Sequence, residues 1–169
     1  MKKTDKILIA IVGGIVLLVV VAFAVALSKP KPTYQAEDKP EGVAFNYLFA
    51  LKQKEYERAY GYLSPDLRGY PKDVDAFVGD VRDRSWQFNG LNDSSTTLEV
   101  DSVEKIGSRA DVRIIETHFY EGDLFNSGSY TSNFVITLRP DAAGNWKIVE
   151  ANDYWDSCWD DPKNNYGCK

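Results

Sequence analysis

Hydrophobic and polar positions change their spacing three times along this chain, and each change predicts a different element. Between Ile7 and Leu27 every residue is uncharged and nearly all are apolar, in the run ILIAIVGGIVLLVVVAFAVAL. At 1.5 Å per residue a helix over residues 7–27 would be about 30 Å long, the thickness of a bilayer's hydrocarbon core. The run predicts a transmembrane anchor behind a short cytoplasmic tail, residues 1–6. A cleavable signal peptide stays open as the alternative, because Ala24-Val25-Ala26 has the small-x-small form of a cleavage site. Lys2, Lys3 and Lys6 precede the run and Lys29, Lys31 and Lys39 follow it, so charge bias orients it weakly. Under either reading the long C-terminal part is delivered outside the cytoplasm. Residues 28–39, with Pro30 and Pro32 among charges, read as an extended linker.

After Pro40 the spacing becomes helical. EGVAFNYLFALKQK is apolar nearly all the way round, which predicts a helix enclosed on most sides. EYERAYGYLS places Tyr56, Ala59, Tyr60 and Leu63 on one stripe, and KDVDAFVGDVRDRS does the same with Val74, Phe77, Val78 and Val81. Ser64 before Pro65 reads as a cap and first-turn proline. Beyond Ser85 the period falls to two. A short strand is expected at residues 86–88, and TTLEVDSVEKI, RADVRIIETHFY, SYTSNFVITLR and WKIVEANDYW then alternate apolar with polar residues and are rich in β-branched and aromatic types. Three helices followed by a meander of antiparallel strands define an α+β domain over residues 40–155, with the helices on one face of a bent sheet. Residues 156–169 form a tail.

Composition narrows the partners. The chain has a net charge of −5, and without Lys2, Lys3, Lys6 and Asp5 the part that follows the apolar run carries −7. Such a surface repels phosphate backbones, so nucleic acid is not an expected partner. Both cysteines, Cys158 and Cys168, lie in the tail. In an oxidising compartment they most simply pair with each other, and closing a loop of that size contributes roughly 2.5–3 kcal/mol on the chain-entropy model. Metal binding with Asp156, Asp160 and Asp161 is the rival reading, although two thiols and one remote histidine make a poor zinc set. No cofactor motif is present: there is no phosphate-cradling glycine loop, zinc protease helix or nucleophile elbow.

Strand alternation selects the candidate chemistry. Val112, Ile114, Glu116 and His118 share one face of their strand, and Tyr130, Ser132, Phe134 and Ile136 share one face of the next. Ile148, Glu150 and Asn152 are expected to continue that face. Polar residues in series with core residues line half-apolar pockets, so Tyr47, Glu116, His118, Tyr130, Ser132, Glu150 and Asn152 are the pocket candidates. His118 is the sole histidine. Any acid–base mechanism that needs imidazole must use it, with Glu116 about 7 Å along the strand and a water between; a rim histidine without a role is the plain alternative. Tyr154, Trp155 and Trp159, flanked by aspartates, form a candidate interaction patch, or else seal the tail onto the sheet.

The order of elements, the helix end Y-x-x-A-Y-x-x-L-S-P at residues 56–65 and the strand start G-x-W-K-I at residues 144–148 resemble the nuclear transport factor 2-like superfamily, which includes ketosteroid isomerases and scytalone dehydratases. The resemblance covers residues 40–153 and implies a cone of three helices wrapped by a strongly bent sheet, with a pocket at its open end. The superfamily's isomerases use an aspartate base and a tyrosine donor. Tyr47, Tyr56, Tyr60 and Tyr62 are available here, but no residue matches that aspartate. The layout is similar to that of anchored assembly subunits of bacterial secretion systems. The reading is therefore a membrane-anchored extracytoplasmic binding or assembly module without catalysis, whose partner is a protein, a second copy of the chain or a small apolar ligand. An isomerase- or dehydratase-like enzyme using Glu116 and His118 is the alternative, and a structural envelope protein is the third.

Overall fold

A computed structural model describes residues 3–27, 32–93, 95–120, 122, 127–151 and 153–155. The chain divides into two compact units, Met1–Thr33 and Tyr34–Lys169. In the first, the apolar run forms helix α1, Lys3–Leu27. Its described side chains, Ile7 and residues 9–24, are all exposed. Among the described residues no helix is long and apolar enough to cross a membrane.

The second unit is the α+β domain. Helices α2 (Pro40–Gln53), α3 (Tyr56–Gly61), α4 (Val74–Asp83) and α5 (Ser85–Asn92) precede strands β1 (Thr96–Ile106), β2 (Arg109–Tyr120), β3 (Gly128–Pro140) and β4 (Trp146–Glu150). The strands form one antiparallel sheet in the order β1-β2-β3-β4. Pro40 opens α2 after an extended Lys39, with Glu41 in the first turn and Lys52 in the last, as the helix dipole favours. Lys54 ends it in the left-handed region at φ 61°, where its N–H meets the carbonyls of Ala50 and Leu51. Asp73 caps α4 by accepting from the Ala76 N–H at 2.8 Å.

The expected short strand at residues 86–88 is instead the first half of α5, because Phe88 and Leu91 bury at helical spacing while Trp86 stays exposed. The enclosed helix is α2, buried at almost every position from Pro40 to Leu51. It packs on the inner sheet face, where Val112, Ile114, Ile136, Leu138 and Ile148 are fully buried. The free side of β4 is closed by Leu63, whose neighbours exchange hydrogen bonds with Ile148: Ser64 N–H donates to the Ile148 carbonyl at 2.8 Å, and Ile148 N–H to the Tyr62 carbonyl at 2.9 Å.

The linker was expected to reach Pro40, but the compact unit starts at Tyr34 because residues 34–37 are held against α2 and α3. Asn46 is fully buried and treats Gln35 as a partner strand would: its Oδ1 accepts from the Gln35 N–H at 2.7 Å and its Nδ2 donates to the Gln35 carbonyl at 2.9 Å. A Cβ on Gly42 would lie 1.9 Å from the Ala36 carbonyl oxygen, so only glycine admits this strap. Arg58 stacks on the Tyr34 ring, 3.2 Å from its centroid, and Glu37 accepts from the Tyr62 hydroxyl at 2.7 Å. Replacing Asn46 with alanine is expected to cost about 2 kcal/mol, because two strap hydrogen bonds lose a buried partner. Hydrogen exchange at the Gln35 amide should accelerate with it; an unchanged amide would show that the strap is held elsewhere.

Candidate functional site

Glu116 and His118 emerge from β2 on the face that carries Val112 and Ile114, as alternation predicts. Glu116 is only 5% exposed. The two side chains lean together, so the imidazole Nε2 lies 3.3 Å from Glu116 Oε1 and the pair meets directly rather than across a water. The Tyr154 hydroxyl donates to the same oxygen at 2.7 Å. Burial, and then this bond to Glu116, push the Tyr154 hydroxyl far up from its ordinary range, so it stays a neutral donor.

Hydrogen counting fixes the ring's other side. Thr96 Oγ1 has one proton and gives it to the Gly90 carbonyl at 2.7 Å. Its oxygen therefore accepts from His118 Nδ1, 3.0 Å away. Nε2 then faces Glu116 Oε1 across the 3.3 Å contact. The Tyr130 ring stacks over the imidazole at 4.6 Å and 15°. From α5, the backbone of Gly90 comes so near that a Cβ there would lie 3.0 Å from His118 Cε1.

Charge gathers around this pair. Lys52 on α2 donates to the Thr96 carbonyl, and burial pulls its pKa down against the attraction of Asp93 and Glu116. Asp153 is pushed up, first by burial and then by the Glu116 charge. Among the described residues no group of three or more histidine, cysteine or acidic side chains is placed to hold a metal ion. Every buried side-chain nitrogen and oxygen among them has a hydrogen-bond partner. Tyr130 covers one face of the ring and Gly90 comes close to its Cε1, while the His118 side chain keeps 15% of its surface exposed. Gly90→Ala tests this closeness. Alanine normally gains about 1 kcal/mol over glycine within a helix, whereas here the new methyl is expected to displace the ring, cancel that gain and shift the His118 ring resonances in NMR.

The other predicted pocket residues scatter. Tyr47 is a core strut, fully buried, with its hydroxyl donating to the Tyr154 carbonyl at 3.1 Å. Ser132 shares the inner face of β3 but lies beyond the helices and is exposed. Glu150 is on the opposite face from the one expected. Leu138 pairs with Ile148 while Thr137 pairs with Glu150, so Val149 is an extra residue and the alternation inverts there. Tyr154 and Trp155 are 4% and 1% exposed, because the chain turns at Ala151, whose carbonyl accepts from both of their N–H groups, and drives the two rings inward. They belong to the core rather than to an exposed patch. Asn152, Cys158, Trp159 and Cys168 lie outside the described residues. Thr96, Gly90 and Tyr154 complete the site without having been expected in it: Thr96 was visible only as the first residue of its alternating strand, and Tyr154 only as a member of the candidate interaction patch.

Two surface features remain. On the outer sheet face Asp111 accepts from Arg109 Nε and from the Thr137 hydroxyl, both at 2.8 Å, and these bonds, Arg109 first, hold its pKa below the ordinary range. Beside them a notch of about 330 Å³ is lined by Ser102, Val103, Glu104, Asp111, Arg113 and Val135. It adjoins a second bulge, where Asp101 is unpaired between Val100 and Ser102. An open groove of about 630 Å³ runs between α3 and α4, past Tyr56, Arg58, Val74 and Val78.

No family model and no curated protein matches the sequence. Solved structures do match. A SEC-C motif containing protein from Rhodopseudomonas palustris is 19% identical over 69% of this chain and 79% of its own, with a TM-score of 0.45. An NTF2-like protein with a cystatin-like fold from Novosphingobium aromaticivorans is 18% identical over 64% of this chain and 74% of its own, with a TM-score of 0.43.

Proposed function

We propose that the chain is a membrane-anchored extracytoplasmic binding or assembly module that works without catalysis. Residues 7–27 are its anchor, the domain is its outer part, and the outer face of the sheet is the surface offered to a protein partner. The anchor rests on the uncharged apolar run, whose length suits a bilayer core. The observation that carries the binding reading is the contrast between the two sheet faces. The inner polar pair is largely buried and bonded to Tyr154 and Thr96, whereas the outer face sets the half-buried Ile115 and Val135 among Arg109, Asp111, Arg113 and Glu150, next to a notch. Apolar centres ringed by charges of both signs suit a specific protein interface, including one made with a second copy of the chain.

A photo-crosslinking residue at position 133, on the outer face, tests this in native membranes. A discrete adduct is expected there and none from a matched probe at position 75 on α4; an adduct of twice the chain's mass would identify a second copy. No adduct at position 133 would end the sheet-face reading. The 3.3 Å contact of Glu116 with His118 favours acid–base chemistry as a second reading. In that case His118→Gln abolishes activity while leaving the adduct intact.

A further inference from the structure

We propose that the open edge of β1 takes on an additional strand, an extended segment of a partner protein in which basic and apolar residues alternate. The proposal rests on the reading of the domain as a binding module and names one contact that its partner makes. The two edges of the sheet differ. On β4 the neighbours of Leu63 already bond to Ile148, whereas among the described residues β1 pairs with β2 alone. Every second residue of an antiparallel edge strand turns its N–H and C=O away from the sheet, where an extended chain can bond to them. At 11 residues β1 is long enough for this, and seven of them are exposed.

The side chains along the edge say what that segment carries. On the inner side Leu98, Val100 and Val103 are half-buried and form an apolar margin. On the outer side Glu99 and Glu104 are exposed, with Asp101 the extra residue of the bulge between them. Lys105 is turned to the Trp146 ring, 5.7 Å from its centroid. Three acids against one lysine give β1 a net charge of −2. A second copy of β1 would bring the same acids to the same line, and like charges across a strand pair repel. A strand alternating basic and apolar residues instead sets its bases against Glu99 and Glu104 and its apolar side chains against Leu98, Val100 and Val103. The notch of about 330 Å³ beside the bulge gives one of those bases a seat. Within it Asp111 is already bonded to Arg109 and Thr137, and Arg113 Nε lies 3.9 Å from Asp101, which leaves the exposed Glu104 to receive the incoming charge.

The test titrates the full chain in lipid nanodiscs with a short synthetic peptide that alternates valine and lysine, capped at both ends, and reads amide hydrogen exchange across the sheet. Exchange should slow in β1 and stay as it was in β4, whose free side is already closed. Glu104→Lys should weaken binding about five-fold, while the same reversal at Asp75, exposed on α4, should change it little. A peptide of the same composition with its lysines and valines in two blocks should bind less well. No slowing in β1, equal binding of the block peptide, or equal losses from the two reversals overturns the proposal. These readouts are independent of the crosslink at position 133. An adduct there without slowing in β1 ends the edge proposal and leaves the sheet-face reading standing, and slowing in β1 without an adduct does the reverse.

Discussion

Trp155→Ala should be the most damaging single substitution in the domain, lowering its stability by about 4 kcal/mol. Among the described residues Trp155 is the largest fully buried side chain. It fills the space beneath α4 by packing on Phe77, and its indole N–H satisfies the Arg68 carbonyl in the turn between α3 and α4. Alanine removes the ring, leaves a cavity between elements that cannot close on it, and orphans that carbonyl. For a domain of this size the loss corresponds to a fall of more than about 10 °C in Tm. Thermal unfolding followed by near-UV circular dichroism reads it directly. Trp155→Phe should recover part of the loss, since the ring packing returns without the hydrogen bond. If alanine cost less than about 1 kcal/mol, a residue at the sheet's end would not be part of the core.

How this ring came to be buried shows where the sequence stops being informative. Alternation marks the bounds of β1 and β2 to the residue, and in β2, which buries one face, period two records burial itself. It also places Glu116 and His118 on one side. It fails wherever one inserted residue inverts the pattern, and bulges leave no mark in local composition: Val149 moves Glu150 to the outer face, and the turn at Ala151 sends Tyr154 and Trp155 inward. The α5 segment misleads for another reason. SWQFNGLN is too short for helical period to stand out, and its burial is decided by the sheet beneath it. The order of elements, helices and then strands, was enough for an α+β fold. Partners of the polar pair were not legible, since Thr96, Gly90 and Tyr154 meet it only through tertiary packing. The same holds for the strap, where one buried asparagine takes the role of a strand.

Removing one member of the Glu116–His118 pair should cost far more than removing both. Their side chains are 6% and 15% exposed, so water stabilises neither well. His118→Ala takes away the donor at 3.3 Å and leaves Glu116 held by Tyr154 alone, an uncompensated carboxylate in a closed site. A loss of about 3 kcal/mol is expected, at the lower end for broken buried pairs because the histidine is not wholly shielded. Leucine at both positions, in contrast, should be nearly neutral. Phe134 and Leu98 offer apolar neighbours on the same face, and with the carboxylate gone no charge is left to desolvate. Only the Tyr154 hydroxyl then loses its acceptor, and Tyr154→Phe in that background should cost little. Denaturant unfolding of the two single variants and the double variant makes the comparison. A double variant at least as stable as either single one means that the pair is a structural lock whose polarity answers only to itself. A double variant that loses as much as both single changes combined would mean that Glu116 and His118 act separately, each on a group outside the pair, and the site would then regain its claim to a ligand.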